Sequence, residues 1–368
     1  MMKKVVIIGA GQTGRGFIAP ILDKNDFEIT FLDKNEQTVQ QLNTEKEYRV
    51  EYFGGTRQTE VMTGFQAFST ESKEALSALA ASDLVAVSVL ANNIPSLIPL
   101  FQEAAGLREK KMIIICCENG VNVKKPLVEA RIDAVISEGI IFCTTLQPDK
   151  EKLDLLTQDY PEIPVDGQVE GLNASDFKIA GMPLEMKFPE LIQRKIYTYN
   201  FISAIVSYFG SYLGYKVYGE AANDPVIASF TAQIVPTITE IVAKEFDVAP
   251  QEQLTFTQNA VTKFQNKAIY DTIYRNAREA ARKLSSHERL VVPLKLALKY
   301  QTPTVQIELV LAAAVYYGYV YEQLVPEEFF AGLREEIGDE RVISRLKVMF
   351  NSFHEKQALS VIIDTFEK

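Results

Sequence analysis

The amino-acid sequence predicts an α/β protein: a doubly wound, mostly parallel sheet followed by a mainly α-helical C-terminal domain. Three observations predict it. Short apolar runs alternate with helix-length segments over about the first 140 residues, and a glycine-rich turn follows the first of these runs. From about residue 191 the apolar residues recur mainly with the 3.6-residue period of helices. We therefore predict two domains, residues 1–190 and residues 191–368.

The predicted strands of the first domain are short runs rich in apolar and β-branched residues. The first two are separated by one helix length, which gives a β-α-β unit, and another helical segment separates the third from the fourth. Because parallel neighbours require such crossovers, this alternation predicts a parallel sheet. The predicted strands are residues 3–8 (KKVVII), 28–32 (EITFL), 84–90, 112–117 and 134–136, with the helical segment at 94–105.

Two further features of the first domain lie outside that alternation. Residues 48–53 and 59–63 flank Gly54-Gly55, which predicts an inserted hairpin. Residues 147–189 contain several prolines and aspartates and are interpreted as peripheral strands and loops. The first domain is therefore larger than a minimal α/β sheet domain.

Composition and charge exclude several classes of function. The chain has 48 acidic and 38 basic residues and a formal net charge of −10, so a general nucleic-acid-coating role is not expected. Cys116, Cys117 and Cys143 form no CxxC pair, which argues against structural zinc or a disulfide scaffold and fits a reducing cytoplasm. With only two histidines in the chain, no metal site is expected.

Neither a secretion signal nor a membrane segment is expected. The apolar run at residues 5–8 is too short for the hydrophobic core of a signal peptide. The long uncharged stretch at residues 196–215 contains polar residues and glycines, which suit the centre of a helical domain better than lipid. We therefore expect a cytoplasmic protein, a monomer or weak dimer, that acts on a small molecule.

A glycine motif follows the first predicted strand. It comprises Gly9, Gly11 and Gly14, with Gln12 and Thr13 inside it, and it satisfies GxGxxG with a strand before and a helix after. The first glycine allows the tight turn, the second lets a pyrophosphate approach the backbone, and the third lets the helix pack closely on the strand. This context predicts a Rossmann-type dinucleotide site. The alternative is a glycine turn that binds no nucleotide.

An acidic residue selects between the two nicotinamide dinucleotides. Asp33 closes the second predicted strand, 19 residues after Gly14, where a carboxylate accepts hydrogen bonds from the free hydroxyls of the adenosine ribose. The same carboxylate would repel a 2′-phosphate. NAD is therefore favoured over NADP, although the adjacent Lys34 acts in the opposite direction.

Several segments together resemble the polyol-specific long-chain dehydrogenases, in the order found in that family. They are the extended glycine loop GAGQTGRGFIAPIL, Cys117-Glu118-Asn119, the RK-x4-N segment from Arg194 to Asn200, and a C-terminal series from Phe264 to Leu294 that includes Arg275, Arg278, Arg282, Lys283 and Arg289. The glycine motif alone is generic, but this combination is specific. The resemblance implies an oxidoreductase in which Glu118 and Asn119 lie beside the nicotinamide.

The resemblance also implies catalytic residues. Oxidation of an alcohol by hydride transfer needs a base for the hydroxyl proton and a donor for the developing alkoxide, roles that fall to Lys195 and Asn200. Because an ordinary lysine is protonated at neutral pH, Lys195 must be desolvated or close to another cation. On a continuous α-helix, at about 100° per residue, these two residues share one broad face with Ser203. The alternative is that Lys195 extends from a buried helix to solvent and Asn200 satisfies a backbone group.

Two positions depart from the family pattern, and both concern the substrate side of the site. Family members have a histidine three residues after the asparagine, where this chain has Ser203. Serine can hydrogen-bond a substrate hydroxyl but cannot titrate near neutral pH. Relatives also place an Asp-Arg pair near residues 138–141, where this chain reads EGII.

A basic cluster in the C-terminal domain indicates the substrate class. Arg275, Arg278 and Arg282 fall within a sector of roughly 60° if that stretch is helical, with Lys283 next to them. Concentrated positive charge in an acidic chain suits a phosphate dianion, which arginine binds in a bidentate, pH-independent way. The alternative is a solvated helix face whose arginines pair with nearby carboxylates, those of Asp271, Glu279 and Glu288.

Taken together, these features imply an NAD-dependent enzyme that interconverts a sugar-phosphate ketose, such as fructose 6-phosphate, with its alditol phosphate. Two alternatives stay open. One is a dehydrogenase for an unphosphorylated polyol or a hexuronate, in which the arginines are only structural. The other is a nucleotide-binding protein with little turnover, because the site and not the fold determines function.

Overall fold

The structure is a computed structural model of the 368-residue chain, and it describes residues 3–173, 175, 177–267 and 271–367. The chain forms two compact units, of which the first ends at Ile192 and the second begins at Gln193. Both units bury many apolar side chains.

The first unit contains a six-stranded, wholly parallel sheet, which confirms the predicted doubly wound α/β fold. Its strand order is β5-β2-β1-β6-β7-β8. Val5 and Ile7 of the central strand belong to the core on one face of the sheet, and Val6 and Ile8 belong to the core on the other. The strands are β1 (Lys3–Ile8), β2 (Phe27–Asp33), β5 (Gln66–Ser69), β6 (Leu84–Val87), β7 (Met112–Cys116) and β8 (Ala134–Glu138).

Helices connect these strands, as the right-handed crossovers of a parallel sheet require. The helix after β1 contains a π-helical turn, Gly14–Ile18. The α-helices are α1 (Ala19–Asp23), α2 (Glu36–Glu45), α3 (Lys73–Ala81), α4 (Ile98–Gly106), α5 (Lys125–Glu129) and α6 (Phe188–Lys195), the last of which ends in the second unit.

The predicted hairpin is part of a second, smaller sheet of order β4-β3-β10-β9. β3 and β4 pair antiparallel, with Glu47 opposite Thr63, which confirms the hairpin. β10 comes from the segment interpreted as peripheral strands and loops, which also supplies a two-stranded parallel sheet, β11-β12. β9 lies just before that segment. These strands are β3 (Glu47–Phe53), β4 (Glu60–Thr63), β9 (Thr145–Leu146), β10 (Leu155–Gln158), β11 (Val165–Asp166) and β12 (Leu184–Glu185).

Two predicted boundaries in the first unit differ most from the structure. The strand predicted at 84–90 ends at Val87, because Leu90 adopts a positive φ of 70°, which is incompatible with a strand. The helix predicted at 94–105 begins as a 3₁₀ segment, Ala91–Leu97, and becomes α-helical only from Ile98. A proline inside the 3₁₀ segment lacks the backbone donor that an α-helical turn needs at that point.

The second unit is helical, which confirms the predicted mainly helical C-terminal domain. It begins with the end of α6 and a π-helical turn, Ile196–Asn200. The helices that follow are α7 (Phe201–Tyr212), α8 (Tyr218–Ala222), α9 (Pro225–Glu245), α10 (Pro250–Gln265), α11 (Ile273–Ala277), α12 (Ala280–Lys283), α13 (Val291–Lys299), α14 (Val305–Tyr321), α15 (Pro326–Ile337), α16 (Glu340–His354) and α17 (Leu359–Phe366).

α9 is the one described helix that is long and apolar enough to cross a membrane by length and composition. It has 21 residues, and 56% of its most apolar stretch is buried within the protein. It starts at Pro225, and the Asp224 side chain caps its first backbone N–H groups. These are the features of a core helix in a helical domain.

Candidate active site

The three glycines of the GxGxxG motif differ in their surroundings. A Cβ on Gly9, whose φ is 100°, would lie 2.0 Å from the carbonyl oxygen of Ser88. A Cβ on Gly14 would lie 2.0 Å from the carbonyl oxygen of Gly9. By contrast, no described atom lies within 4 Å of the Cβ position of Gly11. Packing therefore requires the outer glycines, and the middle one leaves its backbone open to a ligand.

The residues between these glycines begin the helix. Gln12 is exposed and Thr13 is half-buried, and both are already helical. The next turn, Gly14–Ile18, is π-helical, a feature that occurs frequently at functional sites. The N-terminus of this helix, with its free backbone N–H groups, lies directly after the open glycine.

Asp33 lies at the carboxyl end of β2 and holds the glycine loop. Its Oδ2 accepts a hydrogen bond from Ala10 N at 2.7 Å, and its Oδ1 accepts one from Asn35 N at 2.8 Å. Each carboxylate oxygen can accept a further hydrogen bond. The carboxylate is thus fixed beside the loop in the position from which it could bind a ribose.

Arg15 connects the same loop to the second sheet. Its side chain is buried, and its guanidinium donates to the carbonyl oxygens of Ala10, at 2.7 Å, and Leu153. The Tyr48 hydroxyl donates to the carbonyl oxygen of Arg15 at 2.9 Å. The small sheet therefore supports the glycine loop. From the sequence, only the family resemblance indicates Arg15, because its partners lie 33 and 138 residues away.

Glu118 and Asn119 follow β7, next to the end of β6. The Glu118 carboxylate accepts a hydrogen bond from Leu90 N at 2.8 Å, and burial raises the pKa of this carboxyl group to about 7. This contact holds Leu90 in its positive-φ conformation. Asn119 is exposed. Both residues lie where the carboxyl ends of the strands meet, which is where open α/β sheets bind ligands.

Lys195 is the last residue of α6 and is half-buried. Burial and the nearby charges of Lys263 and Arg289 lower the pKa of its ammonium group to about 7. Both conditions that the sequence demanded of a catalytic lysine, desolvation and a neighbouring cation, are therefore met. A lysine whose pKa lies near 7 can act as a general base at neutral pH.

The arrangement around Asn200 and Ser203 differs from the one predicted. Residues Ile196–Asn200 form a π-helical turn, so the helix that carries Lys195, Asn200 and Ser203 is not continuously α-helical and the predicted angles between them are wrong. The wider turn needs more residues per revolution than an α-helix. Asn200 and Ser203 are each half-buried, with Ser203 one turn further along, in α7.

Ser203 has a partner that the sequence did not reveal. The hydroxyl of Tyr218, a residue of α8, donates to Ser203 Oγ at 3.1 Å. Tyr218 is buried, whereas Ser203 is half-buried. Fifteen residues separate the two, and no sequence pattern connects them.

The basic stretch is not one helix. α11 ends at Ala277 and α12 begins at Ala280, because Arg278 is extended and Glu279 has a positive φ of 62°. The predicted sector of roughly 60° that contains Arg275, Arg278 and Arg282 is therefore wrong. The backbone N–H groups of Glu279 and Ala280 donate to the carboxylate of Glu322. These hydrogen bonds stabilise the interruption between α11 and α12.

Two of the three arginines pair with carboxylates at the surface, as the alternative interpretation expected. Both side chains are more than half exposed, so these pairs contribute little to stability. The ion pairs are Arg275–Asp271 at 2.6 Å, Arg282–Glu279 at 2.8 Å and Arg282–Glu288 at 2.7 Å.

Lys283 is different from these arginines because it is buried. Its ammonium donates to the carbonyl oxygen of Asn276. Burial, together with the charges of Arg289 and Arg282, lowers the pKa of this group to about 7. The Arg289 side chain is largely buried and pairs with Glu288 at 3.0 Å. Since Arg289 acts on the pKa of both Lys283 and Lys195, it connects the basic stretch to the candidate base.

The structure thus brings the predicted residues together in two groups. The residues predicted to bind the cofactor lie at the carboxyl edge of the main sheet: Gly9, Gly11, Gly14, Asp33 and Glu118. In the second unit, Lys195 and Lys283 share Arg289 as a neighbour. No cluster of three or more His, Cys, Asp or Glu residues suited to a metal is found among the residues that the structure describes.

Known proteins resemble both units. The profile of the mannitol dehydrogenase Rossmann domain matches residues 3–146, and that of the mannitol dehydrogenase C-terminal domain matches residues 188–327. A mannitol-1-phosphate 5-dehydrogenase from Enterococcus faecalis is 28% identical over 310 residues, 79% of this chain and 80% of the relative. The enzyme of that name from Brevibacillus brevis is 29% identical over 336 residues, 85% and 86% of the two chains.

Solved structures show the same fold. The mannitol 2-dehydrogenase of Pseudomonas fluorescens, solved in a ternary complex with NAD and D-mannitol, matches with a TM-score of 0.76 and 14% identity over 100% of this chain and 95% of its own. A substrate-free D-sorbitol dehydrogenase matches with a TM-score of 0.75 and 14% identity over 96% and 93% of the two chains. The family profiles cover most of the chain and confirm the resemblance found in the sequence. The chain belongs to the mannitol dehydrogenase family, whose members are oxidoreductases that act on polyols.

Proposed function

We propose that this chain is a cytoplasmic, NAD-dependent dehydrogenase that interconverts a sugar-phosphate ketose and its alditol phosphate, of the fructose 6-phosphate and mannitol 1-phosphate type. The observation that carries the proposal is the half-buried Lys195, whose pKa is lowered to about 7 by burial, Lys263 and Arg289. The names of the relatives that are 28% and 29% identical support the phosphorylated substrate.

In alcohol oxidation, neutral Lys195 accepts the proton of the reacting hydroxyl at Nζ, while the C–H bond on the same carbon breaks. The hydride acceptor for that bond would be supplied by bound NAD. The amide of Asn200 donates to the developing alkoxide, which becomes the carbonyl oxygen of the product. In the reverse direction, protonated Lys195 returns the proton to the oxygen.

The first unit fits the dinucleotide. The open backbone at Gly11 and the helix N-terminus at Gln12 and Thr13 would hold the pyrophosphate. Asp33 would accept hydrogen bonds from the ribose hydroxyls, which favours NAD over NADP. Glu118 and Asn119 would lie towards the nicotinamide.

The phosphate of the substrate is assigned to the buried part of the basic stretch. The Arg289 side chain is largely buried, so its charge is less screened than those of Arg275 and Arg282, which are already paired at the surface. Lys283 is buried next to it, and a phosphate dianion would favour the protonated form of this lysine. Arg278 lies in the extended break beside them. The buried Tyr208 hydroxyl, which has no hydrogen-bond partner among the described residues, has Arg289 and Arg282 as charged neighbours and would supply a further donor.

The assay that tests this proposal is NADH oxidation at 340 nm with fructose 6-phosphate and fructose side by side, and NADPH as the cofactor comparison. We expect turnover of the phosphorylated sugar with NADH. Arg289→Ala is expected to lower kcat/KM for fructose 6-phosphate by about 10–100-fold, the effect of losing one charged hydrogen bond. Lys299→Met is the matched control, because Lys299 is exposed and pairs with Glu245. An equal loss with both sugars would show that Arg289 acts through Lys195 or through the fold, and not on the phosphate.

An unphosphorylated polyol or a hexuronate is the second candidate substrate. The surface ion pairs of Arg275 and Arg282 favour it, because these two guanidiniums already have carboxylate partners. In that case fructose would be reduced as well as its phosphate, and Arg289→Ala would leave the ratio between the two sugars unchanged.

A further inference from the structure

We propose that Tyr218 is a positioning residue that presets the Ser203 hydroxyl as a hydrogen-bond donor to a substrate hydroxyl next to the reacting carbon. This inference rests on the proposed function, because it takes the helix that carries Lys195 and Asn200 as the catalytic one. It extends that function by adding a residue of α8 to the substrate side of the site.

The contact itself is directional. A phenol carries one hydrogen, and the Tyr218 hydroxyl lies 3.1 Å from Ser203 Oγ and 3.5 Å from the backbone carbonyl oxygen of Ser203. The shorter of the two contacts takes this hydrogen, so Tyr218 donates to Ser203 Oγ. Burial raises the pKa of the Tyr218 phenol far above its ordinary value, so the phenol remains a donor throughout the working pH range. Ser203 Oγ therefore acts as an acceptor towards Tyr218, and its own hydrogen is left to donate.

A serine in a helix usually donates that hydrogen to the carbonyl four residues earlier. Ser207, on the same helix, does so: its hydroxyl donates to the carbonyl oxygen of Ser203 at 2.7 Å. For Ser203, the structure gives no such bond to a described residue, and the contact of its side chain is the one with Tyr218. Because Ser203 is half-buried whereas Ser207 is buried, the remaining hydrogen of Ser203 is accessible to a ligand.

Tyr218 is itself held from two sides. Its backbone N–H donates to the carbonyl oxygen of Asp271 at 2.8 Å. Its ring packs edge-on against Phe264, with 5.8 Å between the centroids. Because the Tyr218 side chain is buried and held in place, it cannot move with Ser203 when Ser203 changes rotamer. The hydrogen bond therefore favours the one rotamer of Ser203 that points towards Tyr218.

A polyol substrate carries hydroxyl groups to which the Ser203 hydroxyl can donate. The carbon that reacts is flanked by carbons with hydroxyl groups, and Ser203 lies one turn after Asn200, the proposed alkoxide donor. A serine preset as donor binds the oxygen of a flanking hydroxyl and discriminates against a substrate that lacks it. A site built to hydrogen-bond a hydroxyl rejects the deoxy analogue strongly.

The test is a double-mutant cycle with Tyr218→Phe and Ser203→Ala, measured as kcat/KM for fructose 6-phosphate and for its 1-deoxy and 3-deoxy analogues. Each single variant is expected to lose roughly tenfold in kcat/KM, the effect of one hydrogen bond, and the double variant no more than either. The preference of the wild type for fructose 6-phosphate over one deoxy analogue is expected to fall by the same factor in all three variants.

Tyr212→Phe is the matched control. It removes a half-buried tyrosine hydroxyl from α7 that donates to the carbonyl oxygen of Gln357, away from Ser203. It is expected to leave the deoxy discrimination intact. Ser203→Thr keeps the hydroxyl and is expected to retain most activity. If Tyr218→Phe does not fold, Ser203→Ala and Ser203→Thr together test the same hydrogen bond through its other partner.

Additive losses in the double variant, or a deoxy discrimination unchanged by Tyr218→Phe or Ser203→Ala, would overturn the inference. Lys195→Met separates this result from failure of the proposed function. If Lys195→Met abolishes turnover while the cycle is additive, only the role of Tyr218 is wrong. If Lys195→Met retains wild-type turnover, the proposed function is wrong and this inference with it.

Discussion

Lys195→Met is expected to lower kcat by about 10²–10⁴-fold in both directions, the contribution of a positioned acid–base group. Methionine keeps most of the apolar volume of the side chain but cannot accept or return a proton. The protein should still bind NADH, because the cofactor residues lie in the first unit and Lys195 belongs to the second. Steady-state kinetics and NADH fluorescence titration of the same preparation measure the two effects separately.

Lys299→Met controls for the removal of a lysine from the second unit, because Lys299 is exposed and lies in α13. It should have wild-type kcat. If Lys195→Met turned over like the wild type, the alternative in which Lys195 only extends to solvent would be correct. If Lys195→Met also failed to bind NADH or to fold, the loss of turnover would have a structural cause.

Gly11→Ala is expected to lower kcat/KM for NADH by about 100-fold without lowering thermal stability. A Cβ at this position meets no described atom within 4 Å, so the added methyl group has room in the protein. It occupies the space through which a pyrophosphate would approach the backbone, and a displacement of about 1 Å at such a contact costs on the order of 100-fold. Thermal unfolding and NADH titration are the measurements.

Gly14→Ala is the contrasting variant. Its Cβ would lie 2.0 Å from the carbonyl oxygen of Gly9, so this substitution should lower the free energy of unfolding, by about 1–3 kcal/mol. A Gly11→Ala protein with normal NADH affinity would contradict the assignment of the loop to the pyrophosphate. A Gly11→Ala protein as unstable as Gly14→Ala would show that the space at Gly11 is not open.

The sequence signals for the cofactor side of the site are local. The glycine spacing and Asp33 lie within one β-α-β unit, whose geometry follows from short-range rules. The contacts that complete this side are long-range: Arg15 reaches Leu153, and Glu118 holds Leu90. A single sequence contains no signal for such pairs.

The substrate side was predicted less well, for two physical reasons. The backbone departs from ideal helices at Ile196–Asn200 and at Glu279, and helical periodicity does not show a π-helical turn or a positive φ at a glutamate. The neighbours that lower the pKa of Lys195 also come from distant parts of the chain, Lys263 and Arg289. A catalytic lysine requires desolvation or a nearby cation, but only the structure identifies the cations near Lys195 as Lys263 and Arg289.

The pH dependence of kcat/KM in both directions tests the central claim most directly. Because the pKa of Lys195 is lowered to about 7, alcohol oxidation, which needs the neutral amine, is expected to rise with pH through about 7 and then level off. Ketose reduction, which needs the ammonium form, is expected to be level below about pH 7 and to fall above it. Profiles that cross near pH 7 with these opposite slopes are the predicted result. Profiles without an ionisation near 7, or with the same slope in both directions, would contradict Lys195 as the acid–base group.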